Sequence, residues 1–147
     1  MKISIECATP KDYPKFDELQ KRFQYLGTSE LRSEPSTTKE RFDDYVARES
    51  LLVAYLGEEL VGYAFLDAYL DDNDDVVCSI REIFVDSKYQ RKGYGKEIVQ
   101  RIREEAKQID AKRLQVFSVF IETDRFWMVT CGFRVDNETG YLVQEIN

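Results

Sequence analysis

Gln90-Arg91-Lys92-Gly93-Tyr94-Gly95-Lys96 places three cations and two glycines within seven residues. It follows a strand-like run, Val76 to Val85, and opens an amphipathic run that reaches about Ile109. At a strand-to-helix junction such a segment can wrap backbone N–H groups around a phosphate. Gly93 and Gly95 are expected to supply positive φ and close backbone approach at no Cβ cost. The unpaired N–H groups of the first helical turn, and the helix dipole behind them, favour an anion there. The chemistry this suggests is capture of the phosphate-bearing part of a cofactor.

The chain has no histidine. That excludes Ser-His-Asp and Cys-His nucleophilic catalysis, His-ligated zinc and any imidazole acid or base. Carboxylates, Tyr, Lys, Cys, water and backbone dipoles remain. Cys7, Cys78 and Cys131 lie too far apart for a C-x-x-C site, and their odd number argues against a disulfide framework. Asp71-Asp72-Asn73-Asp74-Asp75 lacks the ligand spacing, glycine and terminal glutamate of an EF-hand and reads as a solvated turn. No metal is therefore expected.

Charge is unevenly spread. Asp86 to Arg113 holds nine Lys/Arg against five Asp/Glu, a balance of +4 in a chain of net charge −7, so the remainder carries −11. The net charge opposes nucleic-acid binding. A basic patch on an acidic protein suits an anionic cofactor paired with a cationic second substrate, although a solvated basic helix face has the same composition.

These residues need elements to position them. Ile3 to Ala8 reads as a strand, and Thr9-Pro10-Lys11-Asp12 as the start of a helix running to about Tyr25. Gly27 to Ser36 reads as a loop, with Ser36 or Thr37 capping a second helix through about Arg48. Leu51–Leu56 and Leu60–Leu70 form two strands joined at Gly57-Glu58-Glu59 in a hairpin. After the Val76–Val85 strand, the long helix is expected to bury Ile98, Val99, Ile102, Ala106 and Ile109. Leu114–Phe120 (strand), Thr123–Thr130 (helix), a possible strand at Phe133–Asp136 and Tyr141–Ile146 (strand) complete the chain. Its 147 residues suit one domain with its own core. With no apolar run of membrane-spanning length and no signal-peptide pattern, a cytoplasmic location and no membrane partner are expected. A strand meander followed by β-α-β crossovers indicates a mixed α/β sheet rather than a doubly wound one.

The combined pattern resembles the GNAT superfamily of acetyl-CoA-dependent N-acetyltransferases. Gln90-x-x-Gly93-x-Gly95 matches that family's Q/R-x-x-G-x-G/A pyrophosphate signature. Arg81-Glu82-Ile83-Phe84-Val85-Asp86 is similar to its fourth strand, and Cys131-Gly132-Phe133 to the Gly-Phe after its last helix. The element order agrees from Ile3 to Ile146. The resemblance implies a mixed, mostly antiparallel sheet flanked by helices and splayed at strands 4 and 5. It further implies that the backbone of Ile83, Phe84 and Val85 pairs with the pantetheine arm. Gln90, Arg91, Lys92, Gly93, Tyr94, Gly95 and Lys96 would hold the pyrophosphate, chiefly through backbone N–H groups. Acetyl-CoA is then the co-substrate, and a homodimer is a common arrangement.

A thioester is already activated, so such a protein must position an amine, make it neutral and stabilise the oxyanion. Glu82 is the candidate base, on a strand face shared with Ile80 and Phe84; Glu122 is the second candidate. Many members carry an Asn and a Tyr before the Gly-Phe. Counting back from Gly132 puts Met128 at the Tyr and Ile121 at the Asn, whereas a one-residue insertion puts Trp127 and Glu122 there. Neither Met nor Trp protonates a thiolate, so water or a Tyr such as Tyr141 would have to. The resemblance implies acetyl transfer to a primary amine on a small molecule or a protein. The alternative is a non-catalytic CoA-binding sensor or interaction module. Tyr25, Tyr45, Tyr63 and Tyr69, with Asp67 and Asp71, either line an acceptor pocket or pack in the core.

Overall fold

The computed structural model of the protein describes residues 2–25, 39–116 and 125–146, with the side chains of 23–25 excepted. The Gly27–Ser36 loop, the Ser36 and Thr37 caps, Ile121 and Glu122 lie outside the described residues.

The chain runs β1 (Ser4–Cys7), a 3₁₀ turn (Pro10–Asp12), α1 (Tyr13–Tyr25), α2 (Lys39–Ala47), β2 (Leu51–Leu56), β3 (Glu59–Leu70) and β4 (Val76–Val85). A second 3₁₀ turn (Ser87–Tyr89) leads into α3 (Tyr94–Gln108), followed by β5 (Arg113–Val116), a π-helix (Phe126–Thr130), β6 (Arg134–Val135) and β7 (Leu142–Glu145). The strands form one mixed sheet in the order β1-β2-β3-β4-β5-β7-β6. Pairing is antiparallel for β1–β2, β2–β3, β5–β7 and β6–β7, and parallel for β4–β5. Among the described residues the parallel ladder runs from Val77↔Arg113 to Ile80↔Val116, and β4 itself continues to Val85. Among the described residues no helix is long and apolar enough to cross a membrane.

Two compact units emerge. The first comprises Met1–Phe65 and Ile83–Gly95. Thr9 starts its first helical segment: the Thr9 N–H donates to the Asp12 carboxylate at 2.8 Å, and Pro10 begins the turn. Its core is aromatic. Phe16 lies 5.1 Å from Phe42, 4.9 Å from Tyr63 and 5.7 Å from Phe65, centroid to centroid, and Tyr45 lies 4.8 Å from Phe65. Such pairs add about 0.5–1.5 kcal/mol each beyond the burial of their area. Tyr63 carries this cluster to the end of β4, 5.9 Å from Phe84. Tyr45 and Tyr63 are thus core residues, and the acceptor-pocket reading fails for both. The β2–β3 hairpin turns at Gly57-Glu58, with Gly57 at φ +61 and Leu56 paired to Glu59. Glu59 therefore belongs to β3 and not to the turn.

The second unit comprises Leu66–Glu82 and Lys96–Asn147. Ile98, Val99, Ile102 and Ala106 make the buried stripe of α3, as their spacing requires. Ile109 does not continue it and is 45% exposed. The helix closes one residue earlier in a Schellman motif: Ala111 N–H donates to Ala106 O, Asp110 N–H to Lys107 O, and Asp110 sits at φ +56. The Asp71 carboxylate accepts the N–H groups of Asn73 and Asp75 and pairs with Arg113 at 2.8 Å, which holds it below the usual carboxylate range. The acidic stretch is therefore a closed turn. Among the described residues, no group of three or more His, Cys, Asp or Glu is placed to hold a metal ion.

Candidate active site

β4 delivers the glycine-bearing segment. At its end the Asp86 N–H donates to Val61 O at 2.8 Å, fixing where the strand stops. The Asp86 side chain then organises the next turn. One oxygen accepts from the Lys88 N–H at 3.4 Å, while the other, fully buried, stands 2.8 Å from Arg22 Nη1. That second contact is an ion pair whose angles fall outside hydrogen-bond geometry. The Ser87–Tyr89 turn follows, closed by Tyr89 N–H to Asp86 O at 2.8 Å and Gln90 N–H to Ser87 O at 3.3 Å.

From Gln90 the backbone changes hand repeatedly. Gln90 is extended, Arg91 is left-handed at φ +64, Gly93 is left-handed at φ +86, and α3 begins at Tyr94. Left-handed residues alternating with other conformations turn successive N–H groups to one side and form an anion-binding nest. The first-turn N–H groups of the 15-residue helix α3 add to it. Gln90, Arg91, Lys92, Gly93 and Lys96 are exposed, and Tyr94 and Gly95 are half-buried. The residues present therefore fit a pyrophosphate: donors without a competing carboxylate inside the loop, and cations able to swing over it.

One expectation requires correction. Gly95 does not supply a positive φ; it is the second residue of α3, and Arg91 takes the other left-handed position. For a non-glycine residue this conformation is uncommon, costs about 1–3 kcal/mol, and persists only where its surroundings enforce it. The Gln90 amide Nε2 donates to Val85 O at 2.8 Å and ties the loop back to β4. At Gly93 a Cβ would meet nothing within 4 Å, so backbone conformation rather than space selects glycine there.

A second anchor comes from the hairpin. The Tyr89 hydroxyl donates to one Glu59 oxygen, and Lys88 Nζ lies 2.9 Å from the other. The Tyr89 hydrogen bond, with Lys88 beside it, holds the Glu59 carboxyl below its ordinary range, and the same bond raises the Tyr89 phenol. Thirty residues separate the partners, so no local signal in the sequence marks the contact. An open concavity of about 400 Å³ runs beside it, lined by Lys15, Glu18, Arg22, Glu58, Glu59 and Leu60. A second, of about 230 Å³, lies against Asp71, Arg113, Arg134 and Glu145, whose charges are matched in two ion pairs.

On β4, Glu82 and Phe84 are buried at 7% and 6% exposure, and Ile83 and Val85 are half-buried. Glu82 shares its strand face with Ile80 and Phe84, as alternation requires. Cys78 and Cys131 are buried, which pushes the Cys78 thiol up to about 11 and raises Cys131, so neither is a nucleophile near neutral pH.

The segment before Gly132 is wound as a π-helix, Phe126–Thr130. Cys131 N–H donates to Phe126 O at 3.0 Å, five residues back. Trp127 is buried between Phe126 and Phe133, at centroid distances of 5.0 and 5.2 Å, while Met128 is 43% exposed. A π turn carries one residue more than an α turn and often marks a functional site.

Residues 14–133 match the acetyltransferase (GNAT) family. Among solved structures, N-acetylglutamate synthase from Neisseria gonorrhoeae, complexed with coenzyme A and N-acetyl-glutamate, superposes with a TM-score of 0.78 at 18% identity. The alignment covers 100% of this chain but 36% of that one, so the chain spans about a third of that relative's length. The PaiA N-acetyltransferase from Thermoplasma acidophilum, in complex with coenzyme A, gives 0.75 at 18% identity, covering 100% and 99% of the two chains. An aminoglycoside acetyltransferase from an uncultured soil metagenomic sample, in complex with sisomicin, gives 0.71 at 18%, covering 93% and 91%. No curated protein matches the sequence.

Proposed function

The chain belongs to the GNAT acetyltransferase family, and from that premise we propose that it transfers the acetyl group of acetyl-CoA to a primary amine of a cationic acceptor. The observation that carries this reading is the left-handed pair Arg91 and Gly93 set before the N-terminus of α3, a backbone arrangement suited to a pyrophosphate. In this proposal the N–H groups of Arg91 to Lys96 bind the diphosphate, and Arg91, Lys92 and Lys96 supplement them from exposed positions. The backbone of Ile83, Phe84 and Val85, at the C-terminal end of β4, pairs with the pantetheine arm. Bound this way, the thioester presents its carbonyl carbon to the amine.

Glu82 takes the proton that the ammonium must lose, directly or through water. The neutral nitrogen attacks the carbonyl carbon, backbone N–H groups near Phe84 and Val85 stabilise the oxyanion, and the C–S bond breaks. The adduct nitrogen gives its remaining ammonium proton to water and the thiolate takes one from water, because Trp127 and Met128 carry no acid. The acceptor is argued from charge: the chain outside Asp86–Arg113 carries −11. The structural relatives include complexes with sisomicin and with N-acetyl-glutamate, so the fold favours no single acceptor class.

The test is release of free thiol from acetyl-CoA in the presence of polyamines, aminoglycosides, amino acids and N-terminal peptides. Amine-dependent release supports transfer. Tight CoA binding with no release for any amine would replace the enzyme with a CoA-binding module, the reading that Trp127 and Met128 favour.

A further inference from the structure

We infer that Glu59 is the positioning residue of the anion loop, holding the Ser87–Tyr89 turn from β3 so that the nest is preformed. The inference deepens the proposed function and rests on it. Glu59 uses its two oxygens on two different residues of the turn, the Tyr89 hydroxyl and Lys88 Nζ. Tyr89 stands two residues before Arg91, and Arg91 holds a left-handed backbone that a non-glycine residue keeps only when its surroundings over-determine it.

The other braces act elsewhere. Arg22, the Val61 carbonyl and the Lys88 N–H all engage Asp86, and Gln90 reaches back to Val85. Only Glu59, among the described contacts, ties the Tyr89 side chain to another strand. Electrostatics alone argues against a carboxylate here, since negative charge near a phosphate site lowers anion affinity. Lys88 offsets that charge, and what remains as the function of Glu59 is geometry. A nest held in shape before the ligand arrives avoids the ordering cost on binding.

The experiment measures the Kd for CoA by calorimetry at 0.15 M salt, KM and kcat with acetyl-CoA, and Tm, for the parent and for Glu59→Ala, Glu59→Gln and Tyr89→Phe. Glu59→Ala is expected to raise Kd and KM about tenfold with kcat within twofold, the scale of a strained residue losing its support. Tyr89→Phe follows it. Glu59→Gln keeps an acceptor for the Tyr89 hydroxyl and stays within threefold of the parent. Equal CoA affinity in the parent and Glu59→Ala overturns the positioning role alone; so does a parallel loss in Glu59→Ala and Glu59→Gln, which would make charge the cause. Should Glu59→Ala fail to fold, Tyr89→Phe, which removes one oxygen, decides the question by the same comparison. No CoA binding by the parent overturns the proposed function as well.

Discussion

The stretch from Asp86 to Gly95 and the stretch from Arg125 to Phe133 both depart from regular structure, in opposite senses. In the first, side chains hold the backbone in a strained shape. Glu59, Arg22 and Gln90 are the braces, and Arg91 and Gly93 turn left-handed between them. In the second, side chains of α3 and β7 take up a backbone carbonyl. The Cys131 carbonyl accepts from Arg103 Nη2 at 2.7 Å and Gln144 Nε2 at 2.8 Å, and Trp127 is packed between aromatic rings. One stretch displays backbone donors; the other consumes its carbonyls and offers solvent Met128 and Val129. On the proposed function, the difference teaches that donor binding would rest on the backbone, while proton delivery to a leaving thiolate would have no dedicated side chain in the described segment.

The comparison can be broken first at its strongest point. Glu82→Gln should lower kcat at neutral pH about a hundredfold or more, with KM for acetyl-CoA within threefold, the usual scale for loss of a general base. An unchanged kcat would clear Glu82 of the role.

Gly93→Val forces a β-branched residue to φ +86 and should weaken CoA binding by about tenfold to a hundredfold, as read by calorimetry. Unchanged affinity would remove the loop from the reaction. Gly95→Val tests a different cost, that of a β-branched residue in the first turn of α3, and should be the milder of the two.

Met128→Tyr should leave kcat within threefold, because Met128 is 43% exposed on the π turn. A gain of more than tenfold would restore Met128 to that place and reverse half of the contrast. The smallest effect concerns acid stability. Glu59, Asp71 and Asp136 are all held below their ordinary values, by Tyr89, Arg113 and Thr139 respectively. A depressed carboxylate contributes stability above its unfolded pKa and loses it as pH falls through the folded one. Tm should therefore be flat above about pH 5 and decline below about pH 4, a modest effect because all three half-buried groups still touch solvent; a Tm that rises below pH 4 would contradict it.

Much of the architecture was legible because the signals are local. Thr9-Pro10 before α1, the stripe Ile98, Val99, Ile102 and Ala106, and glycines after a strand-like run each dictate structure within a few residues. What escaped was non-local or conformational. Gly95 and Arg91 exchange expected roles because composition identifies residues that tolerate positive φ, not those that adopt it. Glu59 reads as part of a turn until the Leu56↔Glu59 pairing places it in β3. The π winding of Phe126–Thr130 has no periodic signature over five residues. Tyr45 and Tyr63 resembled pocket residues only while their neighbours Phe16 and Phe65 were unknown.

Tight hairpin turns are ordinarily where a chain absorbs extra residues with least harm. The Gly57-Glu58 turn is different. With Leu56 paired to Glu59, one residue added there would slip the register and send the Glu59 carboxylate to the opposite face of the sheet. On the proposed role of Glu59, the length of a solvent-facing turn would then set cofactor affinity. Insertion scanning across positions 56–59 should find an intolerant site that touches neither substrate.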